Sequence, residues 1–314
     1  MHTVASRTQT KPIRGGQDRQ RSKFENMQLD LFTHCRDVVL RNDVIAALRM
    51  RDRVLGGHTL ARLSAEYPRD SLLMPLAALL DTLATPAERF PDHDAVADAL
   101  RIMETVVVPC ANLVFGPKEA REWLAPVWRS LANSAQQLSY DADRPHAHAA
   151  PLLLRAGDWV ASEAQIAAIP SWRRIPAPLA WMAEARFGQG GLEAAWFLLV
   201  ELAWIDASSF DTLARRLEAP GLRKLLDDFD AGFDADGEAD LAWFPAWVLI
   251  IEPAMAFVLR ETQACRDTAP ERAARLIMEL LTLERQGRHA DLVAQRKRLR
   301  DLHPGLFSRY MSTR

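Results

Sequence analysis

Little in this chain announces a chemistry. Its 314 residues include 3 cysteines, Cys35, Cys110 and Cys265, which lie far apart and form no CxxC or Cys/His cluster. A disulfide framework and a thiolate metal knot are thereby excluded, and a reducing, cytoplasmic compartment is expected. Nucleotide loop, GxSxG elbow, catalytic Cys–His signature and glycine-rich dinucleotide turn are all missing. So are HExxH and ExxH, and the pairs around Asp92–His93–Asp94 and His146–Ala147–His148 lack the i, i+4 spacing that sets two ligands on one helical face. No metal and no cofactor is expected. Lys and Arg number 39 against 41 Asp and Glu, a net charge of −2, so bulk nucleic-acid binding is not implied. One apolar run approaches membrane length, Leu241–Leu259, but it carries Glu252 and two prolines. Two buried half-helices meeting at Pro253 are expected there instead of a span. The N-terminus has no apolar core of the kind a secretory signal needs.

What is present is helix. Ala, Leu, Arg and Glu are abundant, β-branched runs are scarce, and no alternating apolar/polar stretch is bounded by hairpin turns. Apolar spacing places a first helix from about Leu31, a second capped by Asn42–Asp43 and running through Leu48, and others near 58–66, 71–84, 94–107, 118–138 and 148–168. Further helices follow near 177–187, 192–204, 208–217, 220–229, 241–251, 254–264, 270–286 and 289–302. Proline marks the joints, at Tyr67–Pro68, Thr85–Pro86, Phe90–Pro91, Gly116–Pro117, Arg144–Pro145 and Ile169–Pro170. The organising stretch is 179–217. Leu179, Met182, Ala183 and Phe187 form one helical face, Gly188, Gly190 and Gly191 supply a turn, and Leu192, Ala195, Trp196, Leu199, Leu202 and Ala203 line a helix that is apolar on most of its circumference.

Gly157 lies 33 residues before Gly190, and Gly287 opens a similar stretch near the end. A glycine-marked turn followed by a small residue, a large apolar one and a closing Asp or Pro resembles the tetratricopeptide (TPR) repeat, over about residues 150–304. Gly190, Glu193, Ala195, Leu199 and Asp206 match the repeat's second helix, Ala183 its small contact position, and Gly287, Leu299 and Pro304 a final copy. Departures are Arg186 for an aromatic, Leu202 for Ala, Ala207 for Pro, and Pro170 too soon after Gly157. The resemblance implies an all-α solenoid of antiparallel helix pairs; the residues alone also allow an irregular multi-helix bundle. Three segments are expected: a disordered basic tail over 1–26, an N-terminal helical bundle over 27–145 hinged at Asp141–His148, and TPR-like repeats over 146–314.

The tail carries Arg7, Lys11, Arg14, Arg19, Arg21 and Lys23 with almost no apolar side chain. It is either an electrostatic arm, the one place where nucleic acid is expected, or a leader ahead of a start at Met27. Behind it stands Gln28, Leu29, Asp30, Leu31 and Phe32. QLDLF resembles the pentapeptide with which bacterial polymerases and repair proteins bind the sliding clamp, which implies that glutamine bonds the pocket rim while Leu31 and Phe32 fill an apolar cleft. The same leucine and phenylalanine serve equally well as the start of a core helix.

The second half gathers Trp159, Trp172, Trp181, Trp196, Trp204, Trp243 and Trp247. They line a concave peptide groove, or fill wide gaps between helices. Glu201 and Glu252 each lie in an apolar run, where a carboxylate is costly unless paired. They form a site, or each meets an arginine from a neighbouring helix pair. The candidate groove is therefore Trp159, Trp181, Trp196, Glu201, Trp204, Trp247 and Glu252. The function expected is a cytoplasmic, non-catalytic scaffold for a protein or peptide. The alternatives are a clamp-bound replication or repair protein and an all-helical enzyme with a buried glutamate.

Overall fold

The computed structural model describes residues 36–84, 89–233 and 240–314. Among them every regular element is a helix. Clustering of the chain's own contacts gives two compact units. The first comprises the described residues up to 84 together with Ile102–Trp123, and the second comprises residues 89–101 with Leu124–Arg314. The stretch Asp141–His148 lies inside the second unit.

In the first unit, α1 (residues 36–49), α2 (Arg53–Glu66), α3 (Leu73–Asp81), a π-helical turn at Met103–Val107 and α5 (Val108–Phe115) surround a core of Leu40, Val44, Leu48, Leu63, Leu76, Leu79 and Val107. Asn42 and Asp43 do not start a helix. Both are exposed in the middle of α1, because Leu40, Val44, Ala47 and Leu48 keep one buried face through that point. The α1–α2 corner turns at Arg51, φ 57°, whose guanidinium lies 5.2 Å from the Trp123 ring centroid and donates to the Trp123 carbonyl. Trp123 Nε1 donates to the Leu48 carbonyl at 2.8 Å, which closes the corner.

α4 (His93–Ile102) belongs to the second unit except for its last residue, and α6 (Pro117–Ala135) contributes to both. From α7 (Ala149–Ala156) and α8 (Trp159–Ala167) onward the helices pack in chain order. α8 lies on α9 (Pro176–Ile205), α9 on α10 (Ala207–Arg216), and α11 (Pro220–Gly232) on α12 (Phe244–Ile251). α13 (Ala269–Gln286) then packs on α12 and on α14 (His289–Leu302), and α14 on α15 (Pro304–Ser312). One apolar cluster runs from Ala150 to Tyr310 through all of these helices.

Three corners are glycines with positive φ: Gly157 (φ 75°), Gly191 (φ 69°) and Gly287 (φ 68°). The break in α9 is at Gly191 alone, with ψ −160°, a conformation that a side chain does not tolerate. Gly188 and Gly190 stay helical. Gly188 serves packing instead, since a Cβ there would fall 2.4 Å from the Trp159 ring.

The expected helix over 254–264 is not one. After α12 the chain bends by 113° into two 3-10 turns, Pro253–Ala256 and Val258–Glu261. Pro253 cannot continue the i→i−4 ladder, and the break follows. Phe244 through Ile250 are all buried in the core. Among the described residues no single helix is long and apolar enough to cross a membrane. Conversely, the chain does not stop being helical at Pro304. That proline takes the first turn of α15, with His303 Nδ1 accepting from Leu306 N at 3.0 Å as its cap.

Candidate functional site

Glu201 sits in the second limb of α9 with no exposed surface. Its neighbours Leu198, Leu199, Leu202 and Trp204 fill the core, and an unpaired carboxylate there would be expensive. Arg173, in a 3-10 turn at Trp172–Arg174, meets it with both fork nitrogens: Nε to Oε2 at 2.7 Å and Nη2 to Oε1 at 2.6 Å. Oε1 also accepts from the backbone N–H of Gln263 at 2.6 Å. Bidentate geometry plus a third donor is what lets a buried ion pair offset its desolvation.

The segment bound by Glu201 is an irregular strap, residues 262–268. Arg173 Nη2 also donates to the Glu261 carbonyl at 2.9 Å, and Arg174 Nη1 to that of Ala264 at 2.5 Å. A second buried carboxylate, Glu271, takes the strap's other end. Its oxygens accept from the N–H groups of Cys265, Arg266 and Asp267, each at 2.9 Å, and from Arg275 Nη2 at 2.8 Å. Burial pushes the Glu271 carboxyl up, but those backbone and guanidinium donors together outweigh it and hold the group below the usual carboxylate range. Four strap N–H groups thus end on two carboxylates that solvent does not reach.

Glu271 carries a signature that its sequence surroundings did show. Thr268 and Glu271 stand in capping-box spacing at the start of α13, with Thr268 Oγ1 accepting from Glu271 N at 3.5 Å. The glutamate reaches past the cap to the strap.

Cys265 lies between the two carboxylates, half-buried, its thiol pushed up to about 11 by burial and by the charges of Glu201 and Glu271. At neutral pH it stays a thiol and is a poor nucleophile. A general acid or base must reach a substrate, and the Glu201 carboxylate, sealed and fully engaged, does not. Glu252, by contrast, is exposed at the C-terminal cap of α12. The two glutamates therefore form no common pocket.

The tryptophans divide. Trp196, Trp204 and Trp247 are buried at 4% exposure or less, and Trp181 at 6%. Trp181 stacks on His148 at 5° between planes, with Tyr140 edge-on to it at 6.0 Å between ring centroids. Trp159 and Trp172 are partly buried against the same core. The aromatic set thus lies largely inside the unit. His148 caps α7 through Nδ1, and burial together with the charge of His93 lowers its imidazole to about 4. No group of three or more metal-ligating side chains occurs among the described residues. Gln28, Leu29, Asp30, Leu31 and Phe32 lie outside the described residues.

No protein-family model, no curated protein and no solved structure matches this chain.

Proposed function

We propose that the chain is a non-catalytic interaction scaffold whose second unit is a TPR-like α-solenoid, acting in the cytoplasm on a protein or peptide partner. One observation carries the reading. Helices from α7 to α15 pack on their chain neighbours around one uninterrupted core, with positive-φ glycine corners at Gly157, Gly191 and Gly287. A stack of that kind is stiff and elongates by addition of pairs, which suits it to present a surface rather than to enclose a reaction. The strap adds to the stiffness by tying irregular backbone to α9 and α13. With the large tryptophans committed to the core, the presenting surface falls to the polar faces of the helices.

The purified full chain, offered a displayed peptide library, is expected to retain a limited peptide set saturably, with a hydrogen-exchange footprint confined to 149–314. Finding no saturable macromolecular partner, but turnover of a small substrate, would contradict the scaffold reading.

A second reading has its own support in Gln28–Phe32, whose order Gln-Leu-Asp-Leu-Phe matches the clamp-binding pentapeptide at every position. In this reading the scaffold is tethered to a bacterial sliding clamp. Leu31→Ala with Phe32→Ala is expected to abolish clamp retention with unchanged helical circular dichroism, and a loss of helicity instead would mark the pair as core.

A further inference from the structure

In the first unit α1 and α2 form a helical hairpin. Arg36, at the start of α1, meets Glu66, at the end of α2, through two bonds of 2.6 and 2.9 Å, so the helices run antiparallel and the corner at 50–52 is the tip of the pair.

The first turn of α2 is inside out. Gly56 and Thr59 face the core, while Val54 and Leu55 face solvent at 71% and 46% exposure. Gly56 is there because Leu80 presses on it, and a Cβ would fall 2.5 Å from Leu80 Cδ2. Thr59 turns its hydroxyl back to the Leu55 carbonyl at 3.0 Å. Close packing thus accounts for the small residues inside, but folding alone selects the reverse of large apolar residues outside. Met50, one residue before the turn at Arg51, is 65% exposed and adds a third to the same tip. Such a cluster differs from the single exposed aliphatics that every surface carries.

The charge around the tip is an independent sign. Positions 49 to 62 hold four arginines, Arg49, Arg51, Arg53 and Arg62, against the one carboxylate of Asp52. Arg49 and Arg51 build the corner, the first bidentate with Glu119 at 2.6 and 3.0 Å and the second against the Trp123 ring. Asp52 is used as the cap of α2, its Oδ1 accepting from Leu55 N at 2.9 Å. Arg53, His58 and Arg62 stand exposed along α2. Val54, His58 and Arg62 recur at four-residue steps and share one face, so the tip is apolar and the turns behind it are basic.

We infer that this hairpin tip docks on the surface of an anionic lipid bilayer. Met50, Val54 and Leu55 enter the headgroup layer, and Arg53 and Arg62 lie behind them against the lipid phosphates. The charge complements an anionic surface, and a convex aliphatic tip suits a fluid layer that closes around it better than a peptide that needs a groove. The attachment is peripheral. It is independent of the scaffold reading, which concerns the second unit, and of the clamp peptide.

The test floats the full chain with vesicles of phosphatidylcholine, alone or mixed with phosphatidylglycerol. Saturable flotation with the mixed vesicles is expected, at least tenfold weaker with phosphatidylcholine alone and weakened by added salt. Val54→Ser with Leu55→Ser should weaken it at least tenfold at an unchanged unfolding midpoint, since both side chains already face water. Met50→Ser, outside both helices, is a second apolar variant with the same expected direction. Arg53→Gln and Arg62→Gln should each cost about fivefold. Absence of flotation, equal flotation with both vesicles, or flotation undiminished in the serine variants would each overturn the assignment. Retention on polyglutamate as strong as on the mixed vesicles would overturn the lipid and leave a plain polyanion surface in its place.

Discussion

Arg173 and Glu201 stand 28 residues apart in sequence and meet through two parallel hydrogen bonds of 2.7 and 2.6 Å beneath the backbone of Gln263. The pair is asymmetric in exposure, with the carboxylate sealed and the guanidinium side chain 20% accessible. Removing one partner therefore differs from removing both. Arg173→Met strands a buried charge and is expected to cost about 3–5 kcal/mol, whereas Arg173→Met with Glu201→Leu is expected to recover at least about half of that loss. Urea unfolding midpoints of the unaltered chain and the two variants provide the check. Equal stability of the single and double variants would remove the ion pair as a fastener.

Glu271 is expected to matter through hydrogen bonds as much as through charge. Its three strap donors and Arg275 all need acceptor oxygens, and an amide in its place offers one oxygen where there were two. Glu271→Gln should cost about 2–4 kcal/mol. Thermal unfolding measures it, and because the folded carboxyl is held low, the wild-type advantage should persist above the carboxylate range and vanish as pH falls through the depressed value.

The glycine corners make opposite predictions within one experiment. Gly191→Ala forces a side chain into φ 69°, ψ −160° and should destabilise by about 1–3 kcal/mol. Gly188→Ala should destabilise too, by pushing the Trp159 ring, and it should shift tryptophan fluorescence. Gly221→Ala, in a helix with nothing within 4 Å of the new Cβ, should be neutral or stabilising by about 0.5 kcal/mol. Differential scanning calorimetry ranks the three.

His148 supplies a pH dependence of known sign. Its imidazole titrates at 6.5 in the unfolded chain and at about 4 in the fold. Below pH 6.5 the unfolded state takes up a proton that the native state refuses, so this contribution is complete above that value and is lost between pH 6.5 and 4, by about 3 kcal/mol. His148→Asn keeps an acceptor at the α7 cap and removes the titration. The variant should show a flatter stability profile over that interval, measured by urea unfolding at a series of pH values.

Much of this architecture was legible in the residues, and the exceptions have identifiable causes. Helix content follows from apolar spacing, and the corner at Gly287 from glycine placed after a periodic run, whereas the single helix expected over 148–168 is broken in two at Gly157, whose φ of 75° ends α7. Position within a corner was not legible. Three glycines at 188, 190 and 191 look alike in sequence, and only the approach of Trp159 and the angle at Gly191 separate them. Glu201 and Glu252 shared an apolar setting but have opposite fates, because Pro253 ends α12 one residue after Glu252 and turns that side chain to solvent, while Glu201 lies within an uninterrupted limb. The tryptophan concentration marked core, with Trp181, Trp196, Trp204 and Trp247 all buried. α15 was not expected because Pro304 reads as the end of a repeat, whereas it takes the first turn of a helix.

The strap ties irregular backbone into the stacked helices through four amides bonded to two sealed carboxylates. Native-state hydrogen exchange at the amides of Gln263, Cys265, Arg266 and Asp267 tests that directly. These groups lie outside regular helix at partly or fully exposed residues, where unbonded amides exchange freely. Protection approaching that of the α9 core amides is the predicted result, lost at Gln263 in Glu201→Gln and at the other three in Glu271→Gln. Exchange at the rate of an unstructured peptide in the unaltered chain would contradict it.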